Sequence, residues 1–161
     1  MFACLKRSLS SSAVHLVDYG KYLTDCLPRF VDRVTISRGS ELNLHLKGDP
    51  HESLLPTMQF LRDHNRCQFS QLMDMTAVDW PKDVATLGRF ELVYCLLSMT
   101  FNSRLTVHCR TASSTSPSAP SVAHLYPSAN WAEREAWDMY GIVFENHGDL
   151  RRILTDYGFE G

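Results

Sequence analysis

Two neighbouring stretches in the second half of the chain constrain its fold more than any others. From Phe90 to Met99 both sets of alternate residues are largely apolar, which is typical of a strand covered on two faces. The next stretch alternates apolar with polar residues, which indicates a strand with one face outward. With Asn102 at the turn, we predict an antiparallel hairpin at the centre of a sheet. The apolar positions of its second strand are Leu105, Val107 and Cys109, and the polar ones are Arg104, Thr106 and His108.

Two further strands are predicted before this hairpin. Residues 34–36 and 42–47 predict strands around a turn at 38–40. The second strand alternates apolar and polar side chains, so it exposes one face. His45 falls on the polar face, and we expect a solvated side chain there.

A helix is predicted after these strands. Asp49 can cap it, Pro50 suits its first turn, and the pattern continues to about Asn65. Pro56 predicts that the regular part begins late, because an interior proline costs about 3 kcal/mol. The predicted core stripe consists of Leu54, Met58 and Leu61.

The rest of the sequence predicts one more strand and a surface loop. Residues 69–78 predict another strand, and residues 111–121 predict a surface loop without a core-forming residue. With 44% hydrophobic residues in 161, the chain can bury one proper core. We therefore predict the α+β class, with helices packed on a mainly antiparallel mixed sheet in a single domain.

Residues 130–141 predict a short helix crowded with charges and aromatics. Asn130 can cap it, and Glu133 stands at the capping-box spacing. Gly141 is placed to end it in a left-handed conformation. A helix of about ten residues needs tertiary packing, which we assign to Trp131 and Trp137.

A long gapped pattern begins in this helix and runs beyond it. It resembles the signature of the thirty-kilodalton subunit of respiratory complex I, the proton-pumping NADH:ubiquinone oxidoreductase. Further blocks at residues 76–81, 89–104 and 149–161 are similar to the same family, in the same order. The pattern itself comprises Glu133, Arg134, Glu135, Asp138, Met139, Tyr140, His147, Arg151 and Ile153.

The resemblance implies a non-catalytic scaffold subunit in the quinone-reducing module of the peripheral arm. Its implied partners are the forty-nine-kilodalton subunit and the subunit that holds the terminal iron–sulfur cluster, on the matrix side of the mitochondrial inner membrane. Family members continue past the sequence around Gly161, so a C-terminally short member is expected. Two alternatives stay open, namely a related subunit of a chloroplast-type or hydrogenase-type complex, and a free-standing binding protein or enzyme.

Seven residues of the signature are candidates for a partner interface. Charged groups on a short helix and the following loop can fix orientation through charge-assisted hydrogen bonds. The alternative is that they only join this loop to its own domain. The seven are Glu133, Arg134, Glu135, Asp138, His147, Arg151 and Arg152.

Residues 1–17 are predicted to be a mitochondrial targeting segment or an N-terminal arm, and residues 18–161 the folded domain. The first segment contains Lys6 and Arg7, is rich in serine, and has no acidic residue before Asp18. Such a composition is typical of organellar transit peptides. An ordinary flexible terminus is the alternative.

No catalytic residue, cofactor or metal is predicted. The five cysteines are widely spread, without ligand spacing for zinc or an iron–sulfur cluster. Glu133 and Glu135 point to different sides of a helix, so they form a poor acid/base pair. The net charge of −2 gives no electrostatic case for nucleic acid or a membrane surface.

Overall fold

The predicted central hairpin is present in the computed structural model, which describes residues 11–37, 41–81, 88–111 and 116–159. In chain order the elements are α1 (Ser11–Cys26), β1 (Val31–Ile36), β2 (Leu42–Leu46), α2 (Pro50–Asp63), β3 (Gln71–Asp79), β4 (Phe90–Ser98), β5 (Ser103–Arg110), β6 (Ser118–Pro120), α3 (Ala129–Tyr140) and β7 (Val143–Glu145).

The strands β1 to β5 form one sheet in the order β1-β2-β5-β4-β3. The pair β2 and β5 is parallel, and the other three pairs are antiparallel. The strands β6 and β7 form a separate parallel pair. The predicted class, α+β with a mainly antiparallel mixed sheet, is confirmed.

Helix α2 covers the buried face of the sheet as its pattern predicts. Leu54, Met58 and Leu61 are fully buried, and the Asp49 carboxylate accepts a hydrogen bond from the His51 amide at 3.0 Å. The late start expected from Pro56 is wrong, because the helix is regular from Pro50. Pro56 is exposed, so the carbonyl that it leaves unbonded can be hydrated.

The hairpin strand β4 is less covered than its composition indicates. Leu92, Tyr94 and Leu96 are buried, but Val93 and Cys95 on its other face are only partly buried. Four free cysteines are described (Cys26, Cys67, Cys95 and Cys109), and Cys4 lies outside the described residues.

The polar side of β2 is also less solvated than its alternation indicates. His45 is partly buried, and its ring stacks on that of His108 with centroids 4.6 Å apart. The expectation of a solvated His45 is therefore wrong. The register between β2 and β5 places the two histidines side by side.

The predicted loop at residues 111–121 contains structure that its composition conceals. Ala119 in β6 is fully buried, and Ser121 is 2% exposed. Strand β6 pairs with β7, more than twenty residues later in the chain. The expectation that this segment contains no core-forming residue is wrong. Small residues such as Ala119 fill the core where two backbones pack closely.

The N-terminal helix α1 packs on β1 and runs across the predicted boundary between residues 17 and 18. Residues 1–10 of the predicted targeting segment, and the turn predicted at 38–40, lie outside the described residues. Among the helices of the described ranges, none has the length and apolar character needed to cross a membrane.

Candidate interaction site

Helix α3 lies against the edge strand β3 and carries most of the predicted site. It begins after Ser128, whose side chain donates to the Leu72 carbonyl of β3 at 3.0 Å. Asn130 is inside the helix, so the predicted Asn130 cap is wrong. Gly141 ends the helix in the left-handed region, with φ of 71°, and its amide donates to the Trp137 carbonyl at 2.9 Å, as predicted.

Glu133 is a fully buried carboxylate that joins α3 to the end of β6. Its two oxygens accept hydrogen bonds from the Ser121 hydroxyl at 2.6 Å and the Val122 amide at 2.7 Å. Burial raises the pKa of this carboxyl, although both hydrogen bonds and His147 act in the opposite direction. Glu133 thus attaches the residues that follow β6 to helix α3.

His147 fixes the other end of this connection. The Asp149 amide donates to its Nδ1 at 3.0 Å, so Nδ1 is the unprotonated nitrogen in this arrangement. Its Nε2 lies 3.2 Å from the Asn130 carbonyl and 3.8 Å from Glu133. The imidazole therefore links the loop after β7 to the first turn of α3.

Arg134 holds the C-terminal segment, residues 151–159, through two backbone carbonyls. Its guanidinium donates to the carbonyls of Arg151 at 3.0 Å and Arg152 at 3.1 Å, and the residue is 8% exposed. The same guanidinium lies 5.2 Å from the centre of the Trp131 ring. Asp138, four residues further along the helix, binds other groups.

Asp138 receives the backbone of the C-terminal segment. One oxygen accepts from the amides of Ile153, Leu154 and Thr155 at 3.2–3.4 Å, and the other from the Thr155 hydroxyl at 2.7 Å. Burial opposes the charge of this carboxyl, but the hydrogen bonds outweigh burial and lower its pKa. The Nε atom of Arg152 lies 3.9 Å away.

The remaining members of the predicted set face outward. Glu135 is exposed, and the Arg151 side chain is 71% exposed, with Nε 2.9 Å from Asp149. Arg152 is partly exposed and donates to the Asp156 carbonyl. The structure thus brings all seven predicted residues to one region, but only Glu135, Arg151 and Arg152 present charge to solvent.

An apolar groove lies beside these exposed charges, and sequence reasoning missed it. The groove encloses about 280 Å³ between β3, α3 and the C-terminal segment. Trp131 and Leu154 line it and are 66% and 81% exposed, and Met73 is 57% exposed. Glu135 stands on its rim. The prediction that Trp131 packs inside its own domain is wrong. We call the set Met73, Trp131, Ile153 and Leu154 the apolar groove.

Comparisons with known proteins give one consistent result. A family model described as the 30 kDa subunit of respiratory-chain NADH dehydrogenase matches residues 49–161. The chain is 46% identical over 146 residues to a subunit of NADH-quinone oxidoreductase from Paramagnetospirillum magneticum, covering 91% of this chain and 69% of that protein. It is 45% identical over 146 residues to NADH-ubiquinone oxidoreductase subunit 9 of Reclinomonas americana, covering 91% and 67%.

A longer relative has the same similarity over part of its length. The mitochondrial NADH dehydrogenase (ubiquinone) iron-sulfur protein 3 of Candida albicans is 45% identical over 143 residues, which are 89% of this chain and 48% of that protein. This chain therefore spans about half of that relative and about two thirds of the other two.

Solved structures share the fold. A trypsin-resistant fragment of Nqo5 superposes with a TM-score of 0.64 at 26% identity, covering 86% of this chain and 99% of the fragment. A chain of the membrane-bound sulfane sulfur reductase, an archaeal respiratory membrane complex, gives a TM-score of 0.69 at 25% identity, covering 88% and 78%.

Proposed function

The chain belongs to the family of the 30 kDa subunit of respiratory-chain NADH dehydrogenase, and on that basis we propose that it is a non-catalytic scaffold subunit of mitochondrial complex I. It would sit in the quinone-reducing module of the peripheral arm, on the matrix side of the inner membrane. Its neighbours would be the forty-nine-kilodalton subunit and the subunit that holds the terminal iron–sulfur cluster. Bracing these neighbours would support electron transfer from NADH to ubiquinone.

The apolar groove is the observation that carries this proposal. A tryptophan, a leucine and a methionine, each more than half exposed, are unusual together on a protein that works alone. Tryptophan is also among the residue types most enriched at the anchors of protein interfaces. We assign the groove to a neighbouring subunit of the same complex.

The seven signature residues divide into two roles in this proposal. Glu135 lines the groove, and Arg151 and Arg152 directly precede its Ile153 in the chain. All three expose charge and would contact the partner directly. The others position that surface through hydrogen bonds inside the chain. These positioning residues are Glu133, Arg134, Asp138 and His147.

The engagement of the acids also argues for a scaffold instead of a free-standing enzyme. General acid/base catalysis needs a titratable group that can reach a bound substrate. Glu133 is fully buried and accepts two hydrogen bonds, and Asp138 accepts four. Both carboxylates therefore serve backbone and hydroxyl donors of their own chain.

The direct experiment is native electrophoresis of membranes from cells that express the full chain with a small tag. We expect the tag to migrate in an assembly of high mass that oxidises NADH in the gel, together with the forty-nine-kilodalton subunit. Migration as a monomer would favour a free-standing protein. Migration with a hydrogenase-type or chloroplast-type assembly would favour the alternative that the sulfane sulfur reductase likeness keeps open.

The mitochondrial setting has its own test. The relative from Candida albicans is described as mitochondrial, and residues 1–17 have the composition of a transit peptide. Fusing residues 1–30 to a fluorescent reporter should direct it to mitochondria, and a fusion with Lys6 and Arg7 changed to glutamate is the control. Diffuse cytosolic fluorescence of the first fusion would contradict the targeting role, and plastid fluorescence would favour the chloroplast-type alternative.

A further inference from the structure

Three side chains that can bind a metal converge on the open face of the main sheet, away from α3. His45 on β2, Glu91 on β4 and His108 on β5 each offer one ligand atom, and these atoms lie within 4.8 Å of one another. The sheet fixes this convergence, because His45 is in register with His108, and Glu91 is two residues from the partner of His108 on β4.

The distances suit a small divalent ion. Glu91 Oε1 lies 3.1 Å from His108 Nδ1. Two ligands of a tetrahedral zinc ion, each about 2.0–2.1 Å from the metal, lie about 3.3 Å apart. This contact is a hydrogen bond in the structure, and its length is also the spacing of two ligands that share one ion. The His45 ring, which stacks on His108, would turn out of that stack to present its nitrogen to the same ion.

Each of the three side chains is also oriented by an outer neighbour. Thr35 Oγ1 lies 3.1 Å from His45 Nε2, and Asn43 Oδ1 lies 3.5 Å from His108 Nε2. Such contacts direct the other ring nitrogen toward the cluster, which is how outer groups orient metal-bound histidines. For His108 that nitrogen, Nδ1, now hydrogen-bonds to Glu91, and an ion would replace this hydrogen bond.

The two carboxylate oxygens of Glu91 also have different neighbours. The Trp80 indole donates to Oε2 at 2.7 Å, and Arg110 Nη2 lies 3.7 Å from that oxygen. These two donors occupy one side of the carboxylate, while Oε1 faces His108. The arginine charge would reduce the affinity for a cation without blocking the ligand oxygen.

We propose that His45, Glu91 and His108 form a binding site for one Zn²⁺ ion that ties β2, β5 and β4 together. Two imidazoles and one carboxylate are a ligand set that zinc uses in proteins, with a fourth position left for water. This inference is independent of the apolar groove and its partner.

The spacing of these ligands explains why the sequence did not predict them. His45, Glu91 and His108 are separated by many residues and reach one another only through strand order. Zinc motifs recognisable in a sequence instead bring two ligands close together along the chain. The prediction that no metal binds was based on that local spacing.

Isothermal titration of the metal-free full chain with Zn²⁺ tests the site, with Co²⁺ as a coloured probe of coordination. We expect one Zn²⁺ per chain at micromolar concentrations, and a higher midpoint of thermal unfolding when zinc is present. His45→Gln, Glu91→Gln and His108→Gln should each weaken binding by about tenfold or more. Circular dichroism identifies any variant that fails to fold. His45 is only partly buried, so we expect His45→Gln to fold and to test the site even if another variant does not.

Two matched variants decide where the ion binds. His124→Gln changes an exposed histidine outside the cluster and should leave binding unchanged. His64→Gln should also leave it unchanged, although His64 lies 3.8 Å from the Cys67 thiol and could offer a competing site. The proposal is overturned if the full chain binds no Zn²⁺, if folded His45→Gln and His108→Gln bind as the parent does, or if His64→Gln is the variant that loses the ion.

Discussion

The inner and outer sides of α3 use opposite kinds of residue. The inner side buries Glu133 and Arg134, whereas the outer side and its C-terminal end expose Trp131, Met139 and Tyr140. A helix on a protein surface normally places apolar residues inside and charges outside. The buried charges therefore hold the chain together, while the exposed apolar residues belong to the surface that we propose contacts a partner.

The buried charges are tolerated because each one meets polar groups of the chain itself. Glu133 accepts from Ser121 and Val122, and Arg134 donates to two backbone carbonyls. A buried charge without such partners would cost several kcal/mol. The Arg134 contacts position the C-terminal segment, which in turn supplies Leu154 to the apolar groove.

The largest predicted effect is on the inner side. Glu133→Ala should lower the free energy of unfolding by about 3 kcal/mol, because it leaves the Val122 amide and the Ser121 hydroxyl buried without their acceptor. Glu135→Ala, two residues away on the exposed side, is the matched control and should change it by no more than about 0.5 kcal/mol. Urea unfolding of both variants makes the measurement. Equal losses would remove the distinction between the two sides.

A second prediction concerns how the contributions of Glu133 and Asp138 to folding stability depend on pH. Folding raises the pKa of Glu133, so its contribution to stability is present below its unfolded pKa of about 4.3 and is lost as pH rises through the folded value. Folding lowers the pKa of Asp138, so its contribution is present above about 3.9 and is lost as pH falls through the folded value.

Urea unfolding across roughly pH 3 to 7 separates these two cases. The stability of the parent relative to Glu133→Gln should fall as pH rises, and its stability relative to Asp138→Asn should fall as pH decreases. Matching trends for both variants would show that the two carboxylates do not differ in environment as the structure indicates.

The sequence predicted the sheet and α2 well because their signals are local. Alternation identified β5, and Leu54, Met58 and Leu61 identified the buried stripe of α2. The errors came from long-range contacts. Strand β6 exists because β7 pairs with it, and Trp131 is exposed because β3 and the C-terminal segment leave an open groove.

The seven residues of the candidate site lie in one region, but the sequence did not show which contacts each of them makes. The signature drew attention to all seven residues, and the alternative of contacts within the domain was left open. Geometry alone distinguishes Glu133, which is buried against Val122, from Glu135, which is exposed on the same helix. Spacing on a helix shows which residues share a face, but it does not show which loop returns to cover that face.

A smaller effect on folding is predicted for the two arginines beyond the helix. Arg151→Glu with Arg152→Glu should lower the free energy of unfolding of the isolated chain by only about 1 kcal/mol. The Arg151–Asp149 pair is exposed on both sides, and Arg152 Nε lies 3.9 Å from Asp138, beyond hydrogen-bond distance. The amount of full-size complex on a native gel should fall several-fold, since both charges would be reversed at the partner surface.

The control for this pair is Arg104→Glu, at an exposed position on β5. It should leave both the unfolding free energy and the amount of complex close to those of the parent. If the double variant is unfolded as an isolated chain, and its assembly defect is no larger than this loss of stability explains, the two arginines stabilise the fold. They would then act as Glu133 and Arg134 do, and not as partner contacts.

The most direct test of the division between folding and docking is Trp131→Ala, compared with Phe101→Ala. Phe101 is also an exposed aromatic residue, 51% exposed, at the turn between β4 and β5. Unfolding of the isolated chain and the amount of full-size complex on a native gel are measured for both. We predict that Trp131→Ala changes the unfolding free energy by no more than about 1 kcal/mol, the loss of its contact with Arg134. It should reduce the assembled complex several-fold, whereas Phe101→Ala should leave assembly unchanged. Full assembly of Trp131→Ala, or equal losses in both variants, would contradict the assignment of the apolar groove to a partner.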